Sequence, residues 1–205
     1  MDLRLIVVTD ARLAQPRSIE AVVAAALEAG APAIQLRDKQ ADARQLFEQA
    51  VRLRALTSRF QALLFVNDRF DVALAAGADG VHIGPDDMPL AAARRAVPRP
   101  FLIGTSTDDP AAARRAQEDG ADYIGCGAVF ATTSKAVGDE QIGPVGLRRV
   151  VQAVSIPVVG IGGVSEGNVA LVAEAGAAGA AVIKAVMAAS DVAVTVTRLL
   201  APFTH

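Results

Sequence analysis

Short apolar runs recur along the chain at residues 5–8, 34–36, 63–66, 80–83, 101–104, 123–125, 157–160 and 181–183, each followed by a stretch with helical spacing. Runs this short suit buried strands better than helices. Four of them follow a Gly-Ala pair: Gly30-Ala31, Gly77-Ala78, Gly120-Ala121 and Gly176-Ala177. Each glycine reads as the residue just past a helix C-terminus, where left-handed backbone is easy only without a Cβ. Pro100 and Pro157 introduce two of the other strands, as expected where a helix must stop. Eight strand–helix units over residues 1–205 predict a single α/β domain, a (β/α)8 TIM barrel. A doubly wound open sheet is the structural rival. It would announce itself with a Gly-rich turn after the first strand, but here that strand runs into Thr9-Asp10.

A parallel barrel gathers its chemistry beyond the C-terminal ends of its strands. Those are the positions where polar residues collect: Thr9-Asp10, Gln35/Arg37/Lys39, Asn67-Asp68, Asp86-Asp87, Thr105-Ser106, the 132–135 loop, glycines at 160–163 and Lys184. The opposite strand ends read mostly as Gly, Ala and Pro. If residues 35–39 continue a strand, Gln35, Arg37 and Lys39 face one way and form a cradle for an oxyanion, most plausibly a phosphate. Asp68 and Asp87 are hard oxygen ligands suited to Mg²⁺, which takes one or two carboxylates together with substrate phosphate oxygens. Lys135 adds positive charge. The Gly160-Ile161-Gly162-Gly163 turn offers backbone N–H groups where barrels commonly bind phosphate, at the entrance to a helix. Two anion sites and one metal fit either a diphosphate with a monophosphate or one bisphosphorylated ligand.

Composition narrows the alternatives. The net charge of −2 gives no basic bias toward nucleic acid or an anionic membrane. One cysteine, Cys126, excludes an intrachain disulfide framework and fits a reducing cytoplasm. No apolar stretch suggests a signal peptide or a membrane span. The sequence leaves homo-oligomerisation open. With two histidines, one of them the terminal His205, there is no candidate Ser-His-Asp triad, Cys-His pair or zinc pattern. His82 reads as a satisfied core residue rather than a catalyst.

Taken together and in order, these motifs resemble the thiamine-phosphate synthase family, which includes thiazole tautomerase relatives. The resemblance rests on Gln35-Leu36-Arg37-Asp38-Lys39, Phe65-Val66-Asn67-Asp68-Arg69, the Gly80–Asp87 segment (GVHIGPDD), Ile103-Gly104-Thr105-Ser106, Thr132-Thr133-Ser134-Lys135 and Gly160-Ile161-Gly162-Gly163-Val164. It covers almost the whole chain. It implies condensation of a pyrimidine pyrophosphate with a thiazole phosphate, giving thiamine phosphate and pyrophosphate. On that resemblance Gln35, Arg37, Lys39, Asn67 and Lys135 hold the pyrimidine substrate, Asp68 and Asp87 bind Mg²⁺, and Ser106 sits beside the leaving group. Thr132, Ser134, Gly163, Ile183 and Lys184 would hold the thiazole phosphate. Arg37, Lys39, Ser106 and Lys135 are the expected catalytic set.

Some positions depart from the family pattern. Lys184 stands where a small Ser is usual, Ser134 replaces a Thr, and Pro85 replaces a frequent Gln. Asp108 stands where the tautomerase relatives carry a functional His, which counts against that activity. A different phosphate-binding barrel enzyme and a non-catalytic phosphate-binding regulator are the competing expectations. The loop after strand six, the longest connection, is expected to be a lid that closes on binding.

Overall fold

The computed structural model describes residues 1–132 and 141–203. The chain runs β1 (Leu5–Val8), α1 (Ala11–Ala14), α2 (Ile19–Glu28), β2 (Ala33–Leu36), α3 (Ala43–Arg59), β3 (Leu63–Asn67), α4 (Phe70–Ala75) and β4 (Gly80–Ile83). It continues through α5 (Leu90–Ala96), β5 (Leu102–Ser106), α6 (Pro110–Glu118), β6 (Tyr123–Cys126), α7 (Gly143–Val151), β7 (Val158–Ile161) and α8 (Val169–Glu174) to β8 (Gly179–Val182), α9 (Lys184–Met187) and α10 (Val192–Leu200). The eight strands pair in sequence order, all parallel, and β8 closes on β1. This is the expected (β/α)8 barrel.

The Gly-Ala pairs do what their sequence suggests. Gly30, Gly77, Gly120 and Gly176 have φ of 93°, 64°, 99° and 89°. In each case the glycine N–H and that of the following alanine turn back onto the last helical carbonyls, as in Ala31 N–H to Ala26 C=O and Gly30 N–H to Leu27 C=O. The same double closure ends α2, α4, α6 and α8 and points the chain into the next strand.

Register decides what lies inside. The ladder aligns Ile6 with Ala33, Val8 with Gln35, Gln35 with Phe65, Asn67 with His82 and Ser106 with Gly125. With a side-chain period of two, these positions face the barrel interior. Ile6, Val8, Ala33, Phe65, Tyr123, Val159 and Ala181 form the inner core, while the outward strand positions pack against the helices in a larger one. Glycine makes the interior fit. A Cβ on Gly104 would lie 2.1 Å from the Tyr123 ring, so the ring occupies volume that β5 leaves vacant.

The bottom of the barrel holds a repeated device the sequence reading missed. Asp79 and Asp122 each follow a Gly-Ala pair, and each accepts a backbone N–H from the strand before, Leu64 at 2.7 Å and Ile103 at 2.8 Å. Arg54 from α3 pairs with Asp79, and Arg94 from α5 pairs with Asp122. Arg99 joins Asp122 at 3.0 Å. The two differ in burial: Asp122 and Arg94 are 8% and 14% exposed, against 33% and 22% for Asp79 and Arg54. Removing one partner of a buried pair strands the other charge. Asp122→Ala is therefore expected to cost about 3 kcal/mol in urea unfolding, and Asp79→Ala distinctly less. Equal losses would show that burial does not govern these pairs.

Candidate active site

The C-terminal strand ends enclose a cavity lined by Val8, Gln35, Arg37, Asn67, His82, Ser106, Tyr123, Ile161 and Ile183, among others. The 35–39 stripe reaches it in a different way from the one expected. β2 ends at Leu36, so Arg37 and Lys39 lie beyond the strand rather than along it. Thr9 causes the turn. Fully buried at the end of β1, its Oγ1 accepts the Arg37 N–H at 2.9 Å and donates to the Arg37 carbonyl at 3.2 Å. Arg37 thus lines the cavity, half-buried, while Lys39 is exposed on the following bend. Both cations nevertheless lie close enough to Asp68 to favour its charged form.

Asp68 and Asp87 meet, as the metal expectation requires. Asp68 follows β3 at φ 62°, a left-handed conformation uncommon for a residue with a Cβ. Its N–H bonds the His82 carbonyl at 2.8 Å, tying it to β4. Asp87, in the turn after β4, accepts the Gly84 N–H on Oδ2 at 2.7 Å. Neither carboxylate caps a helix: α4 begins after Arg69 and α5 after Pro89, both without a side-chain cap. The two carboxyl groups lie within hydrogen-bonding reach of each other. Burial first, and then the Asp87 charge, hold the Asp68 pKa above its ordinary value. Like charges brought together this way are a ready seat for a divalent cation. Among the described residues no cluster of three or more His, Cys, Asp or Glu could hold a metal. Two carboxylates are the number of protein ligands Mg²⁺ commonly takes when water and phosphate oxygens complete its shell. Asp86 is exposed and takes no part in the pair.

Across the mouth, Gly162 and Gly163 have φ of 93° and 66° and pack against the chain after β6, where a Cβ on Gly163 would lie 2.4 Å from the Ala131 carbonyl. Asn168 braces this turn, donating to the Gly163 carbonyl at 2.9 Å and accepting the Ser165 N–H at 2.8 Å. α8 starts only at Val169, so the glycines do not open a helix; that expectation is corrected. The next short helix is α9, directly after β8. Its first residue is Lys184, which is exposed and absent from the cavity lining, whereas Ile183 lines it. Arg17 donates to the Met187 carbonyl at 2.9 Å and fixes the far end of α9.

A family model described as thiamine monophosphate synthase matches residues 5–186. The chain belongs to the thiamine monophosphate synthase family. Members with high similarity include the thiamine-phosphate synthase of Chloroflexus aurantiacus, 51% identical over 98% of this chain and 93% of its own length. That of Methanoculleus marisnigri is 48% identical over 92% of this chain and 89% of its own. A solved structure, thiamine phosphate pyrophosphorylase from Pyrococcus furiosus, superposes with a TM-score of 0.88 at 45% identity, covering 97% of this chain and 94% of that one. An N-acetylmannosamine-6-phosphate 2-epimerase from Clostridium perfringens, at 16% identity and a TM-score of 0.69, shares the barrel alone.

Within this family frame, Gln35, Arg37, Asn67, Ser106 and Ile183 share one cavity, with Asp68 and Asp87 paired at the adjoining strand ends. Thr132 is half-buried past the chain that packs on Gly163. Ser134 and Lys135, and with them most of the expected lid, lie outside the described residues. Cys126 is buried, and burial together with Asp108 pushes its thiol up to about 12, so it supplies no nucleophile. The sequence placed Tyr123 in the sixth strand, within a segment (Asp122–Gly125) that resembles the family, but gave it no role in the site. It is fully buried in the barrel, donates or accepts at 3.0 Å with His82 Nδ1, and lines the cavity.

The carboxylate pair can be tested without substrate. Asp68→Asn removes a like charge and keeps a residue type that tolerates positive φ. It is expected to raise the melting temperature of the metal-free protein near pH 7. A raised carboxyl pKa penalises folding once the group ionises, and that penalty fades as pH falls toward ordinary carboxylate values. The gap between variant and wild type should therefore narrow on acidification and close by about pH 4. A gap independent of pH would contradict the like-charge account.

Proposed function

We propose that the barrel mouth joins an aminopyrimidine carrying a methylene pyrophosphate to hydroxyethylthiazole phosphate, releasing pyrophosphate and forming thiamine phosphate. The observation that carries this reading is the Asp68–Asp87 pair beside Arg37 and Lys39, at the strand ends where the family match falls. The carbon–oxygen bond to pyrophosphate breaks, and the oxygen leaves with the electron pair. The electron-rich pyrimidine ring stabilises the methylene cation left behind. The thiazole nitrogen then supplies its own lone pair to the new carbon–nitrogen bond, so no strong general base is needed.

Asp68 and Asp87 hold Mg²⁺, which when bound neutralises charge on the phosphate oxygens. Arg37, Lys39 and Lys135 bind the pyrophosphate and stabilise the charge that develops on it. Ser106 donates to the leaving group, while Gln35 and Asn67 orient the pyrimidine. Thr132, Ser134, Gly163 and Ile183 hold the thiazole phosphate beside the turn after β7. Lys184, exposed at the start of α9, adds a charge to that phosphate without narrowing the cavity. The alignment of both substrates supplies the remaining rate advantage. Asp108 is exposed, and no histidine takes its place, so nothing here favours the tautomerase alternative.

Pyrophosphate release should require both substrates and Mg²⁺, and Asp87→Ala should lower it about a hundredfold. No release from the wild type under any condition would sink the assignment. Thr9→Val keeps the buried shape but removes the clamp on the Arg37 backbone. It should lower kcat/KM about tenfold while the protein stays folded by circular dichroism. Unchanged kinetics would show that Arg37 is held by something else.

A further inference from the structure

We infer that Tyr123 and His82 form a buried hydrogen-bond chain that fixes the polarity of the Ser106 hydroxyl, so that Ser106 presents a proton donor to the barrel mouth. This rests on the reading of the mouth as a pyrophosphate-releasing site. The geometry is continuous. His82 Nδ1 lies 3.0 Å from Tyr123 Oη and Nε2 lies 2.8 Å from Ser106 Oγ. The Gln35 side chain sits beside the same phenol. All four residues line the cavity.

Proton counting gives the direction. Burial holds the Tyr123 phenol protonated. A hydroxyl sealed inside the barrel must give its proton to an acceptor there. Tyr123 has one proton to give, and among the described residues its hydrogen-bond partner is His82 Nδ1. An Nδ1 that accepts leaves the ring proton on Nε2. Nε2–H then donates to Ser106 Oγ, which must direct its own proton elsewhere. Among the described residues, His82 is the partner of the Ser106 side chain, so that proton faces the cavity. The reverse polarity would aim lone pairs at an anionic leaving group.

The barrel is cut to admit this chain. A Cβ on Gly104 would strike the Tyr123 ring at 2.1 Å, and one on Gly125 would lie 3.1 Å from His82 Cε1 and 3.6 Å from Ser106 Oγ. Barrel interiors are ordinarily filled by branched apolar side chains. Here two strands give up their side chains at the positions where polar groups must pass. Tyr123 and His82 are positioning residues, and Ser106 is the group they aim.

Two measurements test this. With His205→Gln, His82 is the one histidine left, and ¹⁵N imidazole spectra of the labelled protein read its state directly. A neutral ring with the proton on Nε2 is expected; a proton on Nδ1, or on both nitrogens, overturns the chain. Kinetically, Tyr123→Phe keeps the ring and removes the phenol, and should lower kcat roughly tenfold with little change in KM. In a Ser106→Ala background the same substitution should cost nothing further, because the group it aims is gone. An undiminished tenfold loss in that background, or a wild-type kcat for Tyr123→Phe alone, refutes the proposal. These outcomes are read against a wild type that releases pyrophosphate. A wild type that releases none defeats the synthase reading itself, while the tautomer still reports on the chain.

Discussion

Eight strands of four or five residues close on one another, so every inward side chain competes for a single shared volume. That constraint organises the molecule. Phe65 and Tyr123 meet edge to face at 5.3 Å in the barrel centre and fill most of what one layer can hold. Their neighbours in register shrink accordingly: Phe65 pairs with Gly80 and Tyr123 with Gly104. Closure therefore trades side chain against side chain around the ring. A single enlargement at Gly104 cannot be absorbed locally, because the ring it meets is held by Phe65, His82 and Gln35 at once.

The two ends of the barrel use charge in opposite ways. At the bottom, Asp79 and Asp122 are surrounded by donors, one arginine for Asp79, two for Asp122 and a backbone N–H each, so their charge is satisfied within the protein. At the top, Asp68 and Asp87 face each other, and their charge is left for something from outside to satisfy. The same residue type thus reads as stability at one rim and as chemistry at the other. The difference lies in the partner set rather than in the aspartate. Arg37 and Lys39 moderate the upper pair without saturating it, which suits a site that must accept both a cation and an anion.

Much of this was visible in the sequence because it rests on local rules. Apolar runs of strand length and the Gly-Ala pairs located all eight strands, since a helix that ends in left-handed glycine leaves its mark within six residues. Asn67, Asp68, Asp87 and Ser106 stood out because a polar residue at a buried strand's end needs a reason. What failed or stayed hidden depends on contacts between distant segments. Lys39 was expected on the β2 face, but Thr9, 28 residues earlier, grips residue 37 and ends the strand's influence there. The His82 contacts span 41 and 24 residues to Tyr123 and Ser106. Only barrel register brings them together, so a lone histidine in an apolar run could be read only as core. The sequence did hold a weaker signal: a tyrosine in a small-residue barrel that otherwise has no tyrosine or tryptophan. The Gly-Ala-Asp repeats at Asp79 and Asp122 were likewise in view, without an indication of which arginines would answer them.

Packing and function are joined in the inner layer, where the two kinds of demand cannot be separated by substitution at one position. His82 is satisfied on both ring nitrogens, which is what a core histidine needs, and one of those partners opens onto the mouth. Burial thereby becomes a means of orientation: among buried neighbours a hydroxyl has few directions in which to send its proton, and each neighbour that is already committed removes one. The chain from Tyr123 to Ser106 uses up those choices in order. Its end is fixed because its beginning is a phenol sealed in the barrel at 1% exposure. Loosening the barrel at β6 would therefore disturb the mouth through the hydroxyl that β5 carries.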